Sequence, residues 1–188
     1  MADKKLDGRV KYTRMVIRDS LFSLLREKPI GKVTVTDICR GADINRATFY
    51  AHYSDPFELL QSIEREMIDD VTERLSDAFT DEESDLFNTL AQVFGYIRDN
   101  AEACSILLSD SGDNSFQAQV VSMLAQRFIS EWAAKRTISR QDAEYLYIFA
   151  AIGSVGVIRK WLRDGMTKSD EDMAELIIKI SNNGYRAF

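Results

Sequence analysis

Apolar residues recur along this chain at intervals of three and four, the spacing that lines one face of an α-helix. In VKYTRMVIRDSLFSLLREK, Ile17, Leu21, Leu24 and Leu25 share a face, and Pro29 stops the pattern. After the acidic TDEESD the recurring positions are Leu86, Phe87, Leu90, Phe94 and Ile97. Val120, Leu124, Phe128 and Trp132 carry the next stripe, beyond a break predicted at SGDN, 111–114. Met173, Leu176, Ile177 and Ile180 mark the last helix, Thr167 to about Asn183. No alternating run is long enough to build a sheet, so the pattern predicts an all-α protein of about nine helices.

Polar residues between these stripes supply helix starts. Thr34 stands three residues before Asp37, a capping-box spacing. Asn45 is placed to cap a short helix. Asp55-Pro56-Phe57-Glu58 opens another with a cap, a first-turn proline and an acid, running to about Phe79. Ser139-Arg140-Gln141-Asp142 caps a long helix ending near Gly165.

The segment from Thr34 to Tyr53 forms a unit. One helix is predicted over Val35–Ala42, a turn at Asp43-Ile44, and a second helix over Arg46–His52. Val35, Ile38, Cys39, Ala42, Ile44 and Phe49 fit an inner face against Leu21 and Leu25. The outer face of the second helix carries Arg46, Ala47, Thr48, Tyr50, Ala51 and His52. That is the layout of a helix-turn-helix, whose second helix enters the DNA major groove. Small Ala47 and Ala51 permit close approach. Arg46 can meet guanine O6 and N7 with two hydrogen bonds. Thr48, Tyr50 and His52 can donate to phosphates. The same spacing also suits any short amphipathic helix in a helical protein.

Charge sharpens this reading. The 188 residues hold 24 Lys+Arg and 30 Asp+Glu, a net −6. Residues 1–53 hold 11 and 6, a balance of +5, and the rest hold 13 and 24, a balance of −11. A basic head on an acidic body leaves only the head to meet a polyanion. Lys4, Lys5, Arg9 and Lys11 form a basic arm that either adds DNA contacts or is a solubilising tail. Cys39 and Cys104 make no CxxC and read as small buried hydrophobes of a reducing compartment. The N-terminus has no apolar signal region. The longest uncharged run, Tyr145–Ile158, is 14 residues, short of the roughly 20 that span a bilayer. The expectation is a soluble, cytoplasmic protein with no membrane partner.

The string TVTDICRGADINRATFYAHYSDPFELL resembles the N-terminal hallmark of TetR-family transcriptional regulators. The resemblance covers about residues 13–60, from Thr13 and Ile17 through Thr48-Phe49-Tyr50 and His52-Tyr53 to Leu59-Leu60. It implies a three-helix DNA-binding domain over 1–54 and a helical ligand-binding and dimerisation domain over 55–188. It implies DNA contacts from Thr36, Asn45, Arg46, Ala47, Thr48, Tyr50, Ala51 and His52, with Phe49 and Tyr53 facing the core. Two residues depart from the family. Asp43 stands where a glycine is usual, and Asp tolerates the left-handed backbone better than most residues. Pro56 stands where a phosphate-pairing lysine is common.

For the body, LLSDSGDNSFQ and GSVGVIRKWLRDGM resemble the C-terminal variant of TetR-like proteins in Gram-positive bacteria, a branch that includes a regulator of dihydroxyacetone kinase genes. The family implies a homodimer through its last two long helices. YIFAAIGSVGVIRKW supports this independently, being too apolar for solvent, with slim Ala150, Gly153 and Gly156. Met173, Leu176, Ile177 and Ile180 complete the expected seam. A pocket for an unidentified small-molecule effector would lie between body helices, lined by Phe87, Phe94, Met123, Phe128, Trp132 and Tyr145, residues whose helical spacing equally suits plain core. A single histidine excludes a multi-His zinc site, and TDEESD lacks the glycine of a calcium loop. No nucleophile elbow or phosphate-cradling loop occurs, so no catalytic residue, metal or cofactor is assigned. The resulting function is a sequence-specific regulator binding a pseudo-palindromic operator, of the repressor type released by a ligand. The alternative is a module of the same fold that has lost DNA binding, for which Pro56 and the acidic body speak.

Overall fold

The structure is a computed structural model that describes residues 2–76, 83–109, 114–123, 125, 128–130 and 139–184. Side chains are described for all of these except 2–7, 76, 83–85, 114–115 and 181–184. The architecture is all-helical. Helix α1 spans Ala2–Leu25 and is followed by a 3-10 turn, Ile30–Lys32. Then come α2 (Val35–Gly41), α3 (Arg46–Tyr50) and α4 (Pro56–Ser76). The remainder holds α5 (Glu83–Asp99), α6 (Ala101–Leu107), α7 (Asn114–Ser122), α8 (Arg140–Arg163) and α9 (Asp170–Gly184). Residues 111–113 of the expected break, the first half of TDEESD (80–82), Leu124 and Trp132 lie outside the described residues. The basic arm is helical, because α1 begins at Ala2 rather than at the apolar stripe.

The chain divides into two compact units, Met1–Met67 and Ile68–Phe188. The division falls inside α4, later than the 54/55 boundary expected from sequence. The cause is burial. Leu59, Leu60, Ile63 and Met67, the first turns of α4, are all 6% exposed or less and complete the core of the first unit. Ile17 and Leu21 of α1, Ile38 of α2 and Phe49 of α3 are fully buried in the same unit. Each such side chain contributes about 1.5–3 kcal/mol of hydrophobic stabilisation.

In the second unit α9 packs along α5, and α8 contacts α6 and α7. Phe94 of α5 meets Trp161 of α8 edge to face at 5.4 Å. Arg98 fastens the α8–α9 connection. Its Nε donates to Asp170 Oδ1 at 2.8 Å, its Nη2 to the Lys168 carbonyl at 2.9 Å, and its guanidinium lies 5.0 Å from the Trp161 ring centre. The connection needs such fastening because two consecutive residues, Gly165 and Met166, are left-handed at φ 76° and 54°. Ser169 caps α9 by accepting from the Asp172 amide, while Asp172 accepts from the Ser169 amide. That box starts the helix at Asp170, three residues later than the Thr167 start expected from the sequence.

Candidate nucleic-acid interface

The first unit, the head, places its chemistry on α2 and α3. Thr34 and Asp37 form the expected capping box at the start of α2. Asp37 also accepts from Lys28 Nζ at 2.8 Å. The Lys28 ammonium, with help from Thr34, lowers the Asp37 carboxyl from its ordinary value to about 2. Against α1 the fit is close. Ser20 Oγ donates to the Ile38 carbonyl at 2.9 Å, and a Cβ at Gly41 would stand 2.3 Å from that same hydroxyl oxygen. Only glycine lets α2 lie this near to Ser20.

The turn between the helices is a Schellman-type close. The Ile44 amide donates to the Cys39 carbonyl at 3.0 Å, with Asp43 left-handed at φ 52°. Asp43 therefore occupies the conformation that glycine usually supplies. Asn45 then caps α3, accepting from the Thr48 amide at 2.8 Å and the Thr48 hydroxyl at 3.1 Å. Its side-chain oxygen and the Thr48 hydroxyl are thus engaged within the protein.

Helix α3 is five residues long, so its own hydrogen bonds cannot hold it. Phe49, fully buried, is its anchor, with Tyr53 at 5.9 Å and Tyr50 edge-on at 5.8 Å. The Tyr53 hydroxyl accepts from Arg14 Nε at 3.1 Å, and Arg14 also bridges to Glu66. Outward, α3 presents Arg46, Ala47 and Tyr50, with Ala51 beyond its end; Tyr50 is 56% exposed. Thr36 is exposed on α2, and His52 is half-buried just beyond α3. Arg46 Nη2 donates to Thr36 Oγ1, which joins the first turn of α3 to the first turn of α2. No pattern in the sequence announces this bond. Burial raises the Cys39 thiol pKa, and the charge of Arg46 opposes the shift.

Helix α4 opens beside this surface in sequence. Asp55 Oδ1 accepts from the Phe57 and Glu58 amides at 2.8 and 2.9 Å, and Glu58 accepts from the Ser54 amide. The helix end that could face a phosphate is thereby satisfied by its own carboxylates. Phe57 is exposed next to the buried Pro56.

In the second unit the expected residues separate. Along α8, Tyr145, Ile148, Phe149 and Ile152 form one exposed apolar stripe, with Phe149 70% exposed. Gly153 and Gly156 are exposed too, and a Cβ on either would meet nothing. Ala150 is half-buried. By length and composition α8 is apolar enough to cross a bilayer, which the uncharged run alone did not suggest. Its other face is buried at Ala143, Tyr147, Val155, Trp161 and Leu162. Tyr145 stands on the exposed stripe and so does not line an interior between body helices. Met173 is 2% exposed within a single chain, packed inward with Ala174, and so does not belong to an outward seam. Leu176 and Ile177 are half-buried and Ile180 is 50% exposed. Phe94 is buried, whereas Phe87, Met123 and Phe128 are half-buried. The Met123 sulfur accepts from Thr72 Oγ1 at 3.6 Å, and Phe128 lies 5.9 Å from Tyr147.

This architecture has counterparts. The TetR-type family described as a transcriptional regulator C-terminal region matches residues 84–183. The HTH-type transcriptional regulator YxbF of Bacillus subtilis (strain 168) is 41% identical over 75 residues, 37% of this chain and only 20% of that protein. Among solved structures, the dihydroxyacetone kinase operon activator DhaS is similar at a TM-score of 0.63 and 18% identity, over 94% of this chain and 97% of its own. A TetR transcriptional regulator from Streptococcus agalactiae 2603V reaches 0.65 at 21% identity, over 96% and 99%. NalD, the secondary repressor of the MexAB-OprM multidrug efflux pump in Pseudomonas aeruginosa, reaches 0.66 at 18%, over 93% and 97%. At such identities the solved structures speak for the fold alone. The family match, covering more than half of the chain, goes further: this protein belongs to the TetR family of transcriptional regulators.

Proposed function

We propose that this chain regulates transcription by binding operator DNA as a homodimer, with α3 of each copy in the major groove. One observation carries the reading. A five-residue helix anchored by a single buried phenylalanine turns an arginine, an alanine and a tyrosine outward, with a second exposed alanine, Ala51, at its end. Arg46 reads a base, and Tyr50 and His52 grip phosphate. Self-association is supported by the apolar stripe of α8, which a second copy would cover. The buried opposite face of α8 favours a protein seam over a bilayer. A dimer reading successive major grooves sets its recognition helices about 34–36 Å apart.

A small, largely apolar effector bound in the body changes DNA affinity. Support comes from the half-buried Phe87, Met123 and Phe128. A ligand preferring one arrangement of the dimer must, by linkage, alter DNA binding, and a coupling of about 1–3 kcal/mol gives several-fold control. The similar proteins include an operon activator and a repressor, so likeness does not decide the sign of regulation.

The test is binding of the full chain to duplex DNA over a range of salt. The expected result is affinity that falls steeply, with a log–log slope of about −0.9 for each phosphate neutralised. Absence of binding at low salt would leave a module that keeps the fold without the DNA activity.

A further inference from the structure

The geometry points to Thr36 as a positioning residue that aims Arg46 at a base, rather than as a direct DNA contact. This rests on the proposed DNA-binding role of α3. A guanidinium has five N–H groups arranged as two forks, one from Nε and Nη2 and one from Nη1 and Nη2. The forks share Nη2 but use different hydrogens of it. Thr36 takes one hydrogen of Nη2. Whichever hydrogen that is, one complete fork remains for the two acceptors of a guanine edge.

Both residues sit at first turns. Arg46 follows the cap Asn45, and Thr36 is the second residue after the cap Thr34. Each helix is pinned by its own capping interaction and by buried Ile38 and Phe49, so the hydroxyl is a fixed anchor point. Arg46 itself is exposed, and without Thr36 its long side chain would sample many rotamers in solution. Holding it before DNA arrives removes an ordering cost from the bound state. Spending the threonine hydrogen bond on Arg46 also uses one lone pair of Oγ1, while its own hydrogen stays available.

The experiment is in vitro selection from a random duplex pool with the full chain, comparing wild type, Thr36→Val, Thr36→Ser, Arg46→Ala and the Thr36→Val/Arg46→Ala double variant. Thermal melting checks that each variant folds. The expected result is that Thr36→Val lowers preference at one base pair by roughly twofold to tenfold. That pair is the one Arg46→Ala relaxes, Thr36→Ser keeps the preference, and the double variant adds nothing to Arg46→Ala. A uniform loss at every sequence would make Thr36 a backbone contact and overturn the assignment. Tighter binding by Thr36→Val would make the bond a restraint that DNA must break, and would overturn it equally. Wild-type protein that selects no sequence and binds no duplex at low salt would overturn the DNA-binding reading itself, a result separable from the other two.

Discussion

Phe49 and Phe149 are both phenylalanines on helices, yet one is fully buried and the other is 70% exposed. Phe49 belongs to a helix of five residues, Phe149 to one of 24. The short helix spends its large side chain on its own core and shows solvent an arginine, an alanine and a tyrosine. The long helix is already held by Ala143, Tyr147, Val155, Trp161 and Leu162, and it turns Tyr145, Ile148, Phe149 and Ile152 outward. A surface of donors and small residues suits a polyanion. A surface of aromatic and branched carbon suits another surface like itself.

Substitutions can break this contrast. Phe49→Ala should cost the head about 3–5 kcal/mol, because α3 has no second anchor of comparable size. Chemical denaturation would show it, and DNA binding should disappear with it. Phe149→Asp should do the opposite. The melting of the single chain should hold, whereas self-association should weaken by about 2–4 kcal/mol, read by sedimentation. A dimer unaffected by Phe149→Asp would mean that the α8 stripe faces something other than a second copy.

Two smaller effects sharpen the head. Gly41→Ala should destabilise by about 1–3 kcal/mol, since the added methyl meets Ser20 Oγ while that hydroxyl is tied to Ile38. Thermal melting of Gly41→Ala with and without Ser20→Ala measures how much of the loss is this one clash. The smallest effect is with acid. The Asp37 carboxyl is lowered from 3.8 to about 2 in the folded chain. Its contribution is therefore complete above about pH 4 and is lost as pH falls towards 2. Asp37→Asn should flatten that acid limb of a melting-versus-pH profile.

Local chemistry was the most legible part of this chain. Thr34, Asn45, Asp55 and Ser139 cap where their spacing says they should, because a cap needs only neighbours within four residues. Phe49 and Tyr53 are buried as the family resemblance implies. Partnership between distant segments was not legible. An apolar stripe does not say whether its cover comes from the same chain, so Met173 and Tyr145 could not be sorted in advance into inward and outward residues. The division inside α4 was not legible for the same reason, since the early turns of α4 look alike whichever core they join. The Arg46–Thr36 bond spans ten residues and two helices, and no periodicity encodes it.

Asp43 leaves the head room to change by inheritance. At φ 52° the position accepts glycine and, among other residues, asparagine most readily. Both lie one nucleotide from an aspartate codon. Either step would keep the turn and delete one negative charge, raising the balance of residues 1–53 from +5 to +6. The grip of the head on a polyanion can thus be strengthened by a single inherited change that leaves the recognition helix and its reading face as they are.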